Sequence, residues 1–173
     1  MKTSSLKYHE LFIKEIGRRI FDECQPRVYR CLDLLSTEEI WYRPNEHSNS
    51  VGNLVLHLCG NIHQWILATM GGQQDSRERQ QEFDHRNPLA ATALKNRLEE
   101  VLAETRACLE QLTPEALVKS YQVQGFVETG IGILIHVTEH FSYHVGQITY
   151  FVKAHQDIDI GYYQGKDLNA RTR

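Results

Sequence analysis

Residues 130–153 read GIGILIHVTEHFSYHVGQITYFVK, with apolar side chains returning at threes and fours as on one face of an α-helix. Thr129 stands before the run as a helix cap, so the stretch predicts a helix from Thr129 to about residue 153. At about 100° per residue, Leu134, Val137, Phe141, Val145 and Ile148 fall in one sector, roughly +60° to +140° from His140. His136, His140 and His144 border that sector at about −40°, 0° and +40°, a stripe about 12 Å long. Paired imidazoles at i and i+4 are how helices hold zinc. The outer two rings are too far apart to share one ion at bond lengths of about 2.0–2.1 Å. Either His136–His140 or His140–His144 is therefore a candidate pair, and a facing helix has to supply a third ligand.

The rest of the chain supplies such helices. Apolar residues from Leu6 to Leu35 keep helical spacing, with Pro26 inside the run as an expected kink. STEEI, residues 36–40, has the capping-box pattern of a short helix, and YRPNEHSNS reads as a loop. A second long helix is predicted from about Ser50 to Met70, ended by Gly71 and Gly72. The polar stretch QQDSRERQQEFDHR then reads as a long crossover loop. Asn87 and Pro88 are read as the cap and first residue of a third helix reaching Leu112. Thr113–Pro114 opens a short turn, and KSYQVQGFVETG predicts an extended arm or small hairpin before the fourth helix. Four long amphipathic helices with one long connection define an all-α four-helix bundle with a crossover between helices two and three. A length of 173 residues fits one domain over 1–173, with 158–173 as an irregular tail.

Composition excludes several classes. A formal charge of −3 offers no basic face for a phosphate backbone, so nucleic acid is not expected as a partner. No segment approaches the roughly 18 uninterrupted apolar residues of a membrane span, and the N-terminus is not a secretory signal. The expected location is the cytoplasm. Four cysteines, none in a C-x-x-C, suit reduced buried thiols.

On the second helix, NSVGNLVLHLCGNIHQWI offers His57 and His63, about 120° apart on the wheel and so unable to serve one site together. His57 lies inside the apolar run, where an imidazole without a partner would be costly, and is the better ligand. His63 is expected to face solvent. HFSYH lacks the glutamate that a zincin places after its first histidine. The paired Glu-x-x-His motifs of di-iron bundles are also missing, the single such spacing being Glu82 to His85 in the loop. Three neutral imidazoles with one open position describe a mononuclear divalent centre that activates water or a thiol.

With His57 after NSVGNL, the HVTEHFSYHVGQI stretch, GGQQDSRERQQEF in the crossover and DIGYYQGKDL near the end, the chain resembles the DinB superfamily, which includes the YfiT-like proteins. The resemblance covers about residues 5–165. It implies an up-down-down-up four-helix bundle, often a homodimer, and a divalent metal, nickel or zinc. It also implies the ligand set His57, His140 and His144, with His136 left beside them as a neighbouring group or proton carrier. Relatives look like thiol-dependent transferases, acting with low-molecular-weight thiols, or metal-dependent hydrolases of small molecules; a non-catalytic metal-binding or stress-response scaffold is the alternative. Gln147 is placed to hydrogen-bond a ligand ring, and Glu139 to lie at the surface or an interface. Asp75, Arg77, Arg79 and Glu82 are read first as a solvated charged loop, second as a lid over a substrate carboxylate.

Overall fold

The computed structural model describes residues 2–172, with side chains from residue 6 onward. The first rod consists of α1 (Lys2–Gly17), a π-helical segment (Arg18–Cys24) and α2 (Gln25–Asp33). Pro26 does not kink a regular helix as expected. The wider π turns run directly into it, and it falls within the first two positions of α2, where a residue without an N–H is tolerated. Next comes α3 (Thr37–Trp41), closed by the Ser36–Glu39 capping box. The second rod is α4 (Val51–Ile62), started by a Ser50–Asn53 box and continued by π turns from His63 to Ala68. Gly72, with φ of 74°, takes the left-handed position that ends it.

The crossover contains a helix of its own, α5 (Arg79–Asp84), where the sequence suggested only loop. The third long helix, α6 (Ala91–Gln111), begins later than the Asn87–Pro88 pair implied, with Ala90 in the cap position. Trp41 Nε1–H donates to the Leu89 carbonyl at 3.0 Å, which draws this carbonyl outward just before the helix begins. Then follow α7 (Pro114–Val118), capped by Thr113, and a hairpin of β1 (Ser120–Val123) and β2 (Phe126–Thr129) with Val123 opposite Phe126. The last helix, α8 (Gly130–Gln156), is capped by Thr129 as expected.

Contacts fix the course of the chain. Tyr29 O–H donates to Glu99 in the first half of α6, and Arg106 lies over Phe21 further along it, so the first rod and α6 are antiparallel. Trp41 joins the start of α4 to the start of α6, and Gly71 packs against Cys108 at their far ends. These two helices are therefore parallel. Gly130 meets Met70, while Gln156 donates to Glu39 at the opposite end, so α8 returns. The result is up, down, down, up. Parallel neighbours oblige the connecting chain to travel back along a rod about 27 Å long, and that journey lays α5 against α4.

The buried side chains from Ile16 to Ile160 form one cluster, which includes the predicted stripe of Leu134, Val137, Phe141, Val145 and Ile148. Each fully buried Leu, Ile or Phe contributes about 1.5–3 kcal/mol. The tail is irregular but attached, since Ile160 is buried and Tyr162 O–H meets Cys31 Sγ and Thr149 Oγ1. The four cysteines are unpaired, with Cys108 the least buried. No described helix is long and apolar enough to cross a membrane.

Candidate metal centre

His57 on α4 and His140 and His144 on α8 meet in the interior of the bundle, with ligand atoms all within 4.8 Å of one another. His140 Nε2 lies 3.1 Å from His57 Nε2 and 3.2 Å from His144 Nε2. Two nitrogens bound to one tetrahedral zinc at about 2.0–2.1 Å lie about 3.3 Å apart. The spacing suits one ion. Among the described residues, no fourth His, Cys, Asp or Glu joins the group. His57 and His144 are buried; His140 is partly so.

The far side of two rings is held by specific acceptors. Glu82 Oε2 lies 2.8 Å from His57 Nδ1, and Gln147 Oε1 lies 2.7 Å from His144 Nδ1. Gln147 Oε1 places the His144 proton on Nδ1. At His57 the closer Glu82 carboxylate, which can only accept, favours Nδ1–H although Arg77 Nη2 also lies 3.2 Å from that nitrogen. The Nε2 lone pairs then face the cluster. Arg77 grips Glu82 through Nε at 2.7 Å and Nη2 at 3.0 Å, while its Nη1 donates to Gln64 Oε1 at 2.9 Å. Gln64 in turn donates to Asp75. A chain of polar contacts thus runs from the crossover to the cluster.

Glu82 and Arg77 correct the reading of the crossover as solvated charge. Their side chains are 11% and 3% exposed. Gly60 makes the approach feasible, because a Cβ there would lie 1.9 Å from Glu82 Oε1. The GGQQDSRERQQEF stretch carried part of the resemblance, but nothing in its local composition set Glu82 and Arg77 apart from the charges around them. The other crossover charges stay outside, with Arg79 lying over the Phe83 ring.

His136 sits one turn from His140, stacked on Trp65 with ring centroids 3.9 Å apart. Glu139 is exposed. His63 is half-buried rather than solvent-facing, because the crossover and α6 close over it. It lines a polar cleft of about 550 Å³ with Arg77, Glu82, Arg97, Glu100 and Glu104 that reaches none of the three clustered histidines. An apolar groove of about 620 Å³ between Tyr42, Leu54, Tyr150 and Phe151 reaches the cluster's edge at Gln147.

Burial suppresses protonation here. It pushes His140 down to about 3, helped by His144, His57, His136 and Arg77. Burial also lowers His144, against the Gln147 hydrogen bond, and lowers His136, against Glu128 and Glu139. At Glu82 burial works upward, but hydrogen bonds from His57 and Arg77 outweigh it and hold the carboxyl below its usual range. His140 and His144 are thereby favoured as neutral imidazoles, the form a divalent ion requires.

Fold and site together define a DinB-like helical bundle with a buried three-histidine group that could hold a metal ion. The chain matches the family described as Protein of unknown function (DUF1572) over residues 8–162, and it belongs to that family. A DinB-like protein from Bacillus subtilis is similar in structure, with a TM-score of 0.66 at 22% identity over 88% of this chain and 99% of that one. A DinB-like protein from Bacillus cereus gives 0.65 at 16% identity over 83% and 93%. A conserved protein from Enterococcus faecalis gives 0.67 at 17% identity over 83% and 94%. These likenesses concern the fold. No curated protein sequence matches the chain.

Proposed function

We propose that the protein is a divalent-metal-dependent enzyme with a mononuclear centre held by His57, His140 and His144, taking zinc or nickel and acting on a small molecule. The observation that carries this reading is the convergence of three imidazole nitrogens whose outer hydrogen bonds, at His57 and His144, point the lone pairs inward. A bound divalent ion would supply Lewis acidity that lowers the pKa of a thiol or water beside it. The chain itself keeps His140 and His144 unprotonated by burial and fixes the His57 and His144 rings by Glu82 and Gln147. His136, neutral and beside His140, is the group we assign to carry a proton.

Thiol transfer with a low-molecular-weight thiol is the preferred reaction class, ahead of hydrolysis. Both Glu82 oxygens are engaged by His57 and Arg77, so among the described residues no carboxylate at the cluster is free to serve as a base. A thiol, with an ordinary pKa of about 8.5, needs less assistance than water. Elemental mass spectrometry on untagged protein is the test. One ion per chain in the wild type, lost in folded His57→Ala and His144→Ala, supports the centre, and thiol-transfer assays beside ester, amide and lactone panels then decide the reaction.

The same engagement of Glu82 favours a second reading, a non-catalytic metal-bearing or stress-response scaffold. Cobalt-substituted protein separates the two: a visible spectrum that shifts when a small thiol is added favours the enzyme, and one that does not favours the scaffold. We also infer a homodimer through the outer face of α8, where Ile131, Ile135 and Tyr150 are exposed and a side chain at Gly146 would meet nothing within 4 Å. Light scattering giving 20.1 kDa, the monomer mass, would remove this inference. A cytoplasmic location is consistent with the four unpaired thiols.

A further inference from the structure

Two stripes face each other across the bundle. His57, Asn61 and Trp65 recur every fourth residue on the second rod, and His144, His140 and His136 do so in the opposite direction on α8. The His57 ring lies 5.0 Å from that of His144 and 4.9 Å from that of His140, whereas Trp65 stacks on His136. Asn61 falls midway between His57 and Trp65 in sequence, as His140 does between His144 and His136, so the antiparallel pairing of the two stripes puts Asn61 on the level of His140.

The hydrogen-bond inventory of the three rings is uneven. His57 Nδ1 has Glu82 and His144 Nδ1 has Gln147, but His140 Nδ1 is buried with no partner among the described residues. Asn61 Oδ1 is likewise buried without a partner, in a side chain belonging to a residue only 3% exposed. One orphan is a ring nitrogen that becomes a donor when Nε2 gives its lone pair to an ion. The other is an acceptor. Buried polar groups are rarely left unpaired without a reason, and ligating histidines almost always donate their second N–H to an outer acceptor.

We propose that Asn61 is the positioning residue for His140: its side-chain carbonyl accepts the His140 Nδ1–H when His140 Nε2 binds the metal. The assignment rests on the three-histidine reading of the centre. It completes a set in which each ligand ring has its own acceptor, a carboxylate for His57 and neutral amides for the other two. The proton on His140 is thereby held at Nδ1, on the side of the ring away from the ion.

Zinc affinity, measured by competition with a chromophoric chelator, tests the proposal beside circular dichroism. Asn61→Ala is expected to weaken binding about 10–100-fold, and Asn61→Asp, which keeps the acceptor, to restore it. An Asn61→Ala protein that is folded and binds zinc as the wild type does overturns the role of Asn61. Nuclear magnetic resonance on zinc-loaded wild type needs no variant: the His140 Nδ1–H must exchange slowly and show a contact to the Asn61 methylene. A His140 Nδ1–H without that contact also overturns the proposal. Failure of the underlying centre reads differently, as wild type that takes up no zinc or His57→Ala that binds it unchanged.

Discussion

Glu82 Oε2 lies 2.8 Å from His57 Nδ1 across 25 positions of sequence, joining the crossover segment to the histidine cluster. Glu82 can be there because helices two and three are parallel, so the chain must return along α4. The carboxylate favours the Nδ1–H tautomer of His57 and fixes the orientation of the ring. Glu82→Gln is therefore expected to keep the fold and weaken zinc binding about 10–100-fold. Chelator competition checks this; unchanged affinity would mean that Glu82 serves only Arg77.

Arg77 is the counterion that lets Glu82 stay buried. With side chains 3% and 11% exposed, the pair is shielded from solvent, and removing one partner strands the other. Arg77→Met should lower stability by about 3–5 kcal/mol. Urea unfolding of wild type and variant gives the difference directly. Equal midpoints would show that Glu82 swings out to solvent once its partner is gone.

The apolar face of α8 was readable because a helix with one buried face writes that face into its periodicity, and Leu134, Val137, Phe141, Val145 and Ile148 are all buried. His57 was readable because an imidazole within an apolar run demands a partner. Arg77 and Glu82 were not, since a buried ion pair has the same local composition as a solvated loop; only the path of the crossover distinguishes them. The π turns before Pro26 were hidden for a related reason, as their width answers to packing between rods rather than to local propensity. The wheel left the choice between His136 and His144 open because both flank His140 equally. Tertiary structure breaks the tie: Trp65 faces His136, and His57 faces His144.

The cluster makes stability depend on pH in a defined direction. Burial, with the neighbouring His144, His57, His136 and Arg77, pushes His140 down to about 3, and burial lowers His144 as well. Both rings bind protons more weakly in the folded chain than in the unfolded one, where imidazole titrates near about 6.5. Their contribution is fully present above about 6.5 and is lost as pH falls towards the folded values, with a slope of up to about 1.4 kcal/mol per pH unit for each ring. Chelator-treated protein should show urea midpoints that drop between about pH 7 and 5, and His140→Gln should flatten the drop. A flat wild-type profile would mean that these rings protonate inside the fold without penalty.

Gly60 gives a prediction in which two effects oppose each other. Alanine is favoured over glycine inside a helix by about 1 kcal/mol, so propensity alone would make Gly60→Ala stabilising. The new Cβ, however, would lie 1.9 Å from Glu82 Oε1 and 3.0 Å from Arg77 Nε. Backbone does not have to yield, because the nearest atom is the tip of a flexible side chain. The carboxylate moves instead, and it cannot retreat without loosening its bonds to His57 or Arg77. Gly60→Ala should therefore leave the fold intact while weakening zinc binding to a similar degree as Glu82→Gln. The double variant should lose little more than either single one, since both remove the same interaction. Affinities from chelator competition on the three proteins close the cycle; additive losses would mean that Gly60 acts on the cluster by a route other than Glu82.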